Sequence, residues 1–573
     1  MTFLPTTKAE LTKLGWEQLD IILVSGDAYI DSPYIGVAVI GKLLVQAGFK
    51  VGVIGQPDCK SDAIARLGEP KLFWGVSGGS VDSMVANYTA NKKFRNSDDY
   101  TPGGFNNKRP DRAVISYTNL IRKHFKNTAP IVLGGIEASL RRVTHYDFWS
   151  NKLRRPILFD AKADIILYGM AEKSVLNLAH CLHEGKDYTK LRGLSYIAKE
   201  PKKEYIELPS FATCQNDKKR FIDMFNLFYK NCDPISAKGL YQAVDSRYLI
   251  QNPPEFYPTQ KELDSVYSLN YARKLHPFHQ KDGSVKALET IKFSITTHQG
   301  CWGECSFCAI GVHQGRTIRS RSQESILKEA ESFTKFQDFK GTINDVGGAT
   351  ANMYGYECEK KVTKGTCEHK SCTGYAPCKT MQPNHAPQIE LLQKLRQIDG
   401  VKKVFVASGI RYDLINQDNQ YGKSYLKELV SHHISGQMKV APEHIDDGVL
   451  KLMNKPSKKS LLEFKNSFDT LNKQMGKKQF LTYYLIAAHP GSDEKSMHKL
   501  KQFTSQSLQI NPQQVQIFTP TPSTYATLIY YTQMDPKTKE PIFVEKDPNK
   551  KEKQKQIVVD THKKRGYKKR PRR

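Results

Sequence analysis

Two separate series of short apolar runs, each run followed by helically spaced residues, dominate the 573-residue chain. In the first third the runs are Asp20–Gly26, Lys50–Gly55, Leu72–Ser77, Pro130–Gly135 and Ala163–Tyr168. Tyr34–Phe49 has helical spacing, with Gly48 as a stop signal. Strands that are apolar throughout and separated by helices predict a parallel sheet covered on both faces. Glycines cluster just after these strands, at the carboxyl edge where open α/β sheets bind ligands. The second series reads Thr290–Thr297, Gly341–Val346, Lys403–Ala407, Gln437–Ala441, Phe480–Ala487 and Val515–Thr519. Helical patterns lie between them at Gln323–Phe339, Pro387–Ile398 and Leu461–Met475. Such βα units predict a partial TIM-type (βα)6 barrel.

The expected fold is therefore α/β. A Rossmann-like parallel-sheet domain spans 1–205, a polar, Pro-containing connecting segment 206–285, and a barrel 286–534. From Asp535 the chain is polar and Lys-rich, with Ile557-Val-Val559 as its one apolar island, so 535–573 is expected to be a disordered basic tail. Hydrophobic residues at 39% and charged residues at 25% fit a soluble globular protein. No run approaches the ~18–20 apolar residues of a membrane span. Met1–Trp16 has no signal-peptide core, which leaves the cytoplasm as the expected compartment.

The net charge of +28 is uneven. After Asn549 stand twelve Lys and Arg against Glu552 and Asp560, so the last stretch supplies ten of the +28 and the body is mildly basic. Such a tail could contact RNA or an anionic membrane with strong salt dependence. Its single aromatic, Tyr567, offers no stacking platform, and a solvated tail is the plainer reading.

Seven of the eleven cysteines fall in two tight groups, which in a reducing compartment points to metal ligation rather than disulfides. The first is His298-Gln-Gly-Cys301-Trp-Gly-Glu-Cys305-Ser-Phe-Cys308, directly after the first strand of the second series. Three thiolates on one loop can hold three irons of a cubane cluster, and with no fourth Cys nearby one iron stays open to an outside ligand. A closed zinc site needs four ligands, and His298 could be the fourth, so zinc stays open on this segment alone. Further candidates sit at strand ends, the catalytic face of such barrels: the Gly347–Gly348 turn, Arg411, Glu443, His444 and His489. His313-Gln-Gly-Arg316-Thr-Ile-Arg319-Ser-Arg321 either faces an anion or is a solvated basic loop.

The second group, Cys358, Cys367, Cys372 and Cys378, lies in the segment 349–384, long for a βα loop. Cysteines among Lys, Gly and Thr are not expected to build a core. A zinc ion or a second iron–sulfur cluster would staple the loop, with His369 and His385 as substitute ligands.

Longer strings are more specific. They are Gly135-Ile-Glu-Ala-Ser-Leu-Arg-Arg142, His145-Tyr-Asp-Phe-Trp149, Asp160-Ala-Lys-Ala-Asp164, Asp345-Val-Gly-Gly-Ala-Thr-Ala-Asn-Met-Tyr354 and Lys439-Val-Ala-Pro-Glu-His444. With the cysteine triad they closely resemble the YgiQ-type radical S-adenosylmethionine (SAM) proteins, over residues 15 to 535. The resemblance implies that family's N-terminal domain, a radical SAM barrel, and a [4Fe–4S] cluster on Cys301, Cys305 and Cys308. It further implies SAM on the open iron near Gly347, Gly348, Arg411, Glu443 and His489. A one-electron donor such as a flavodoxin or ferredoxin would drive cleavage to a 5′-deoxyadenosyl radical. No substrate is implied. The acidic residue common after the two glycines is replaced by Ala349.

The barrel motifs also look similar to those of methylthiotransferases that modify tRNA or protein. Cobalamin is not expected, because the loop Asp27-Ala-Tyr-Ile-Asp31 lacks the cobalt-ligating His of cobalamin domains. A different class of reading is a non-catalytic, zinc-stapled RNA-binding protein.

Overall fold

The computed structural model describes residues 2–368 and 370–559. The first-series runs form β1 (Ile21–Ser25), β2 (Val51–Gly55), β3 (Phe73–Ser77), β4 (Ile131–Gly134) and β5 (Ile165–Leu167). They pair in parallel in the order β2-β1-β3-β4-β5. Successive residues alternate between two cores, as the period of two requires. Leu23, Val53, Phe73 and Leu167 face α1 (Gly36–Gln46) and α3 (Glu172–His183). Val24, Ile54, Trp74 and Ile166 face α2 (Ala113–His124). Both faces are covered, which is why each strand reads as apolar throughout.

The sheet does not stop there. β6 (Leu194–Ala198) runs antiparallel to β5, β9 (Arg247–Gln251) antiparallel to β6, β8 (Leu240–Val244) antiparallel to β9, and β7 (Ile206–Leu208) parallel to β8. The sheet is thus nine-stranded and mixed. The expected connecting segment 206–285 is corrected: its first part is sheet, and the N-terminal unit does not end at 205. Buried glutamines hide these strands from an apolar pattern. The Thr144 N–H and hydroxyl donate to Gln242 Oε1 at 3.1 and 3.0 Å, and Gln242 Nε2 donates to the Pro209 carbonyl at 2.8 Å. Buried polar groups so satisfied cost little.

The second half begins with β10 (Ser294–Thr296), shorter than expected because Thr290 and Ile291 end the helix Lys286–Ile291. β11 (Thr342–Ile343), β12 (Asp345–Gly347), β13 (Lys403–Val404), β14 (Gln437–Glu443), β15 (Phe480–Ala487) and β16 (Gln516–Ile517) follow. The pairs β10–β12, β11–β13, β14–β15 and β15–β16 are all parallel, and an Ile410–Val440 bridge joins the middle. Among the described residues no ladder joins β16 back to β10, so the strands form an open parallel arc. Helices α4 (Gln323–Phe333), α5 (Ala386–Arg396) and α6 (Lys458–Gln474) pack Ile326, Leu391 and Phe464 onto Ile295 and Val346.

The tail expectation fails over 535–559. After α7 (Glu494–Gln506), residues Pro548–Val558 form a helix, α8. Asp547 caps it by accepting from the Asn549 and Lys550 N–H groups, with Pro548 in the first turn. Lys551, Gln554 and Val558 share its inward face. Lys551 Nζ donates to the Tyr530 hydroxyl at 2.8 Å, and Val558 joins Leu485, Ala487 and Met497. Two of these three inward residues are polar, so composition concealed the helix. Lys563 to Arg573, the most basic stretch, lie outside the described residues.

Gln554 ties α8 to the segment that follows β15. Its Oε1 accepts from the Ala488 N–H (3.0 Å) and Ser492 hydroxyl (3.2 Å), and its Nε2 donates to the Ser492 carbonyl (3.1 Å). Gln554→Ala leaves the buried Ala488 N–H unpaired and should cost ~1–3 kcal/mol in denaturant unfolding. A loss below about 0.5 kcal/mol, the range of ordinary surface changes, would show that the clamp is ornamental. No helix among the described residues is long and apolar enough to cross a membrane.

Candidate functional site

The chain leaves β10 and turns at Gly300, which is left-handed with φ +87°. A Cβ there would fall 2.3 Å from the Thr317 carbonyl oxygen, so only glycine makes this turn. The turn brings Cys301 back, and its N–H donates to the Gly315 carbonyl at 3.2 Å. Cys301, Cys305 and Cys308 are all free and half-buried. Three donors are aimed at the sulfurs. The Gly303 N–H lies 3.4 Å from Cys301 Sγ, the Thr350 hydroxyl 3.6 Å from Cys301 Sγ, and Arg411 Nη1 3.8 Å from Cys305 Sγ. Burial, then the neighbouring Cys305, pushes the Cys301 thiol up and the Cys308 thiol up to about 12. A bound cation would reverse that preference.

Arg411 is fixed by a two-pronged contact to Asp413, Nε–Oδ1 2.8 Å and Nη2–Oδ2 2.7 Å. From the other side, His489 Nε2 sits 3.3 Å from the Ser306 hydroxyl, and the ring packs edge-on against Phe307. Its Nδ1 lies 2.9 Å from the Pro490 carbonyl, which makes Nε2 the acceptor of the Ser306 proton. Glu443 is left-handed (φ 67°) and buried, 4.0 Å from Lys455, whose charge acts on Cys308. Burial raises its carboxyl pKa. The Gly347–Gly348 turn ends β12 and leads straight to Thr350. A Cβ on Gly348 would meet His298 Nε2 at 2.7 Å, and one on Gly347 the Ala351 Cα at 3.2 Å. Packing against the chain itself therefore accounts for both glycines.

This donor set fits an iron–sulfur cubane. It consists of three thiols from one loop, with two hydrogen-bond donors and one compensated cation against their sulfurs. It does not fit a zinc completed by His298: among the described residues that ring and the thiols surround no single ion-sized point.

The basic loop after the triad is packed into the protein rather than solvated. Arg316 is buried and paired with Glu304 at 3.0 Å. Arg321 is buried against Glu329 and donates to the Thr296 carbonyl at 2.9 Å. Arg319 stacks over Tyr257. His313 Nδ1 reaches Ser139 at 3.2 Å in the N-terminal half.

The second cysteine group departs from expectation in a different way. Cys372, with Cys358 and Cys378 against it, belongs to a small apolar cluster with Trp302, Met353 and Leu414, and Cys301 packs on the same cluster. The loop thus covers the triad, and the Thr373 hydroxyl donates to the Trp302 carbonyl at 3.2 Å. The Thr380 hydroxyl and N–H hold the Cys378 thiol below its usual range. Cys367 is half-buried outside that cluster. His385 is committed elsewhere, 2.7 Å from Asp418 and 3.2 Å from Asn352. His369 lies outside the described residues. Among the described residues no three His, Cys, Asp or Glu side chains surround one ion-sized point.

Sequence reading missed Thr350, which reaches Cys301, Asp413, which holds Arg411, and Lys455, whose charge acts on Cys308. Asp413 alone carried a signal, two residues past Arg411.

Burial also holds His145, His298 and His444 at about 4, and His489 at about 3, below the ordinary 6.5. These groups are neutral when folded and take protons first when unfolded. Their contribution is complete above pH 6.5 and is lost as pH falls toward 4. At pH 5 each should cost ~2 kcal/mol. Urea midpoints at pH 7 and pH 5 test this; equal midpoints would mean the rings are already charged.

Two family models match. "Radical SAM N-terminal" covers residues 3–294 and "Radical SAM superfamily" covers 295–504. A UPF0313 protein of Fusobacterium nucleatum is 58% identical over 567 residues, 99% of this chain and all of that one. A UPF0313 protein of Thermotoga maritima is 49% identical over 572 residues, again 99% and all. Among solved structures, the radical S-adenosylmethionine methyltransferase TsrM of Kitasatospora setae aligns with TM-score 0.49 and 15% identity, covering 88% of this chain and 74% of that one.

Proposed function

The chain belongs to the YgiQ-type (UPF0313) family of radical SAM proteins, and from that premise we propose that Cys301, Cys305 and Cys308 hold its [4Fe–4S] cluster, with SAM against Gly347, Gly348, Arg411, Glu443 and His489. The protein is a radical SAM enzyme, so the non-catalytic RNA-binding reading falls. The supporting observation is convergence: residues after β12, β13 and β15 reach the one loop that carries the triad, and Glu443 at the end of β14 pairs with Lys455, whose charge acts on Cys308. The arc of β10 to β16 would serve as the incomplete barrel around it.

A [4Fe–4S] cluster held there would supply the electron for reductive cleavage of SAM. The chain's own residues do the rest. Arg411 sets positive charge beside Cys305 and is held there by Asp413. Thr350 and the Gly303 N–H donate toward Cys301, stabilising sulfur charge. His489, kept neutral by burial, holds Ser306 between the second and third cysteines. The 349–384 segment covers Trp302 and keeps water from the loop. A protein one-electron donor of flavodoxin or ferredoxin type would feed this site.

We extend the proposal to zinc or a second iron–sulfur cluster on Cys358, Cys372 and Cys378, which pack together, with Cys367 drawn in from outside that group on binding. Protein purified without oxygen and reduced in the presence of SAM should release 5′-deoxyadenosine and contain acid-labile sulfide. Zinc without sulfide would refute the triad assignment. Loss of metal in Cys372→Ser, with the triad iron retained, would mark the second site.

A further inference from the structure

A cavity of about 430 Å3 opens at the carboxyl edge of the N-terminal sheet. Its deep part runs between α1 and the strands, walled by Leu23, Val39, Phe73 and Val132. Its rim carries Asp27 and Glu172 and, from the two ends of the cysteine loop, Gln299 and His313. The volume lies within the usual range of small-molecule sites.

Gly134 lines this cavity in an extended conformation, φ −147° and ψ −177°, open to any residue. A Cβ there would meet only the Leu167 carbonyl oxygen, at 3.9 Å. Neither backbone nor packing requires glycine at this position. Gly36, at the start of α1, also lines the cavity, and a Cβ on it would have nothing within 4 Å. Both positions spare room that the protein does not itself fill.

Charge narrows the occupant. No Lys or Arg is among the described residues that line the cavity. Asp27 is already neutralised by Arg109 at 2.8 Å, and its other oxygen accepts the Ser80 N–H at 2.6 Å. Glu172 takes a hydrogen bond from Gln299 Nε2 at 3.1 Å and faces no cation there. Burial favours its protonated form. A phosphate or carboxylate would find no counter-charge in the lining, whereas N–H and O–H donors would find acceptors.

We propose that this cavity binds the substrate as an uncharged amphiphile, with an apolar ring-sized end between α1 and the sheet and N–H or O–H donors on Glu172, beside the cysteine loop. That the occupant is the substrate rests on the radical SAM assignment. Binding itself needs no cluster.

The test uses Nile red, an uncharged planar dye, and 8-anilinonaphthalene-1-sulfonate, an anionic one, on the full chain with and without iron. One Nile red per chain is expected, in both iron states. Gly134→Phe fills the deep part and should weaken it by at least about tenfold, with thermal unfolding unchanged. Gly36→Trp, at the exposed start of α1, serves if Gly134→Phe does not fold, with the same expected loss. The sulfonate should not displace Nile red from the wild type. Nile red binding that ignores both filling variants, or equal competition by the sulfonate in the wild type, overturns the proposal. Binding as expected in a chain that makes no 5′-deoxyadenosine would instead leave the cavity standing and remove the radical reading.

Discussion

Cys301→Ala should reduce 5′-deoxyadenosine formation from SAM to background. Each thiol of the triad holds a separate iron in the proposed arrangement, and the loop has no spare cysteine to replace it. Changes one shell further out typically cost ~10–100-fold at metal sites, so loss of a ligand should exceed that. Cys301 is also the thiol that receives the Gly303 N–H and the Thr350 hydroxyl, so its removal strands both donors. Cys59→Ala is the matched control. That thiol is exposed in the N-terminal half, away from the loop, and its loss should leave turnover unchanged. Undiminished product from Cys301→Ala, with iron still bound, would assign the cluster to other ligands.

Arg411→Leu should be the most damaging single change to stability at the site. Arg411 and Asp413 are both buried, and the guanidinium meets both carboxylate oxygens. Removing one partner of such a pair leaves a buried charge unpaired, which costs ~3–5 kcal/mol. Replacing both, Arg411→Leu with Asp413→Leu, should cost less than the single change, because no charge is then stranded. Arg411→Lys should fall between, since an ammonium cannot span both oxygens. Denaturant unfolding of iron-free protein separates these effects from cluster binding. A single variant that loses under about 1 kcal/mol, the range of an exposed pair, would show that water reaches the carboxylate.

Much of the site was legible because its parts lie close together in sequence or at strand ends. The triad occupies eight residues, and Arg411, Glu443 and His489 follow apolar runs that did become strands or strand-like segments. Their partners were not legible. Thr350 meets Cys301, and the charge of Lys455 acts on Cys308, only because parallel strands bring separate loops to one edge. Arg316 and Arg321 misled for the same reason. A run of arginines reads as solvated until the fold supplies Glu304 and Glu329.

Local sequence determined the five parallel strands of the first sheet and the order of the second series, because apolar runs are demands made within a few residues. Only tertiary structure decided that residues 206–251 extend the sheet, that 548–558 docks as a helix, and that a cavity faces the cysteine loop. In the first two cases buried polar side chains, Gln242 and Gln554, find their hydrogen-bond partners far along the chain. Their burial is affordable only through contacts that composition and periodicity cannot express.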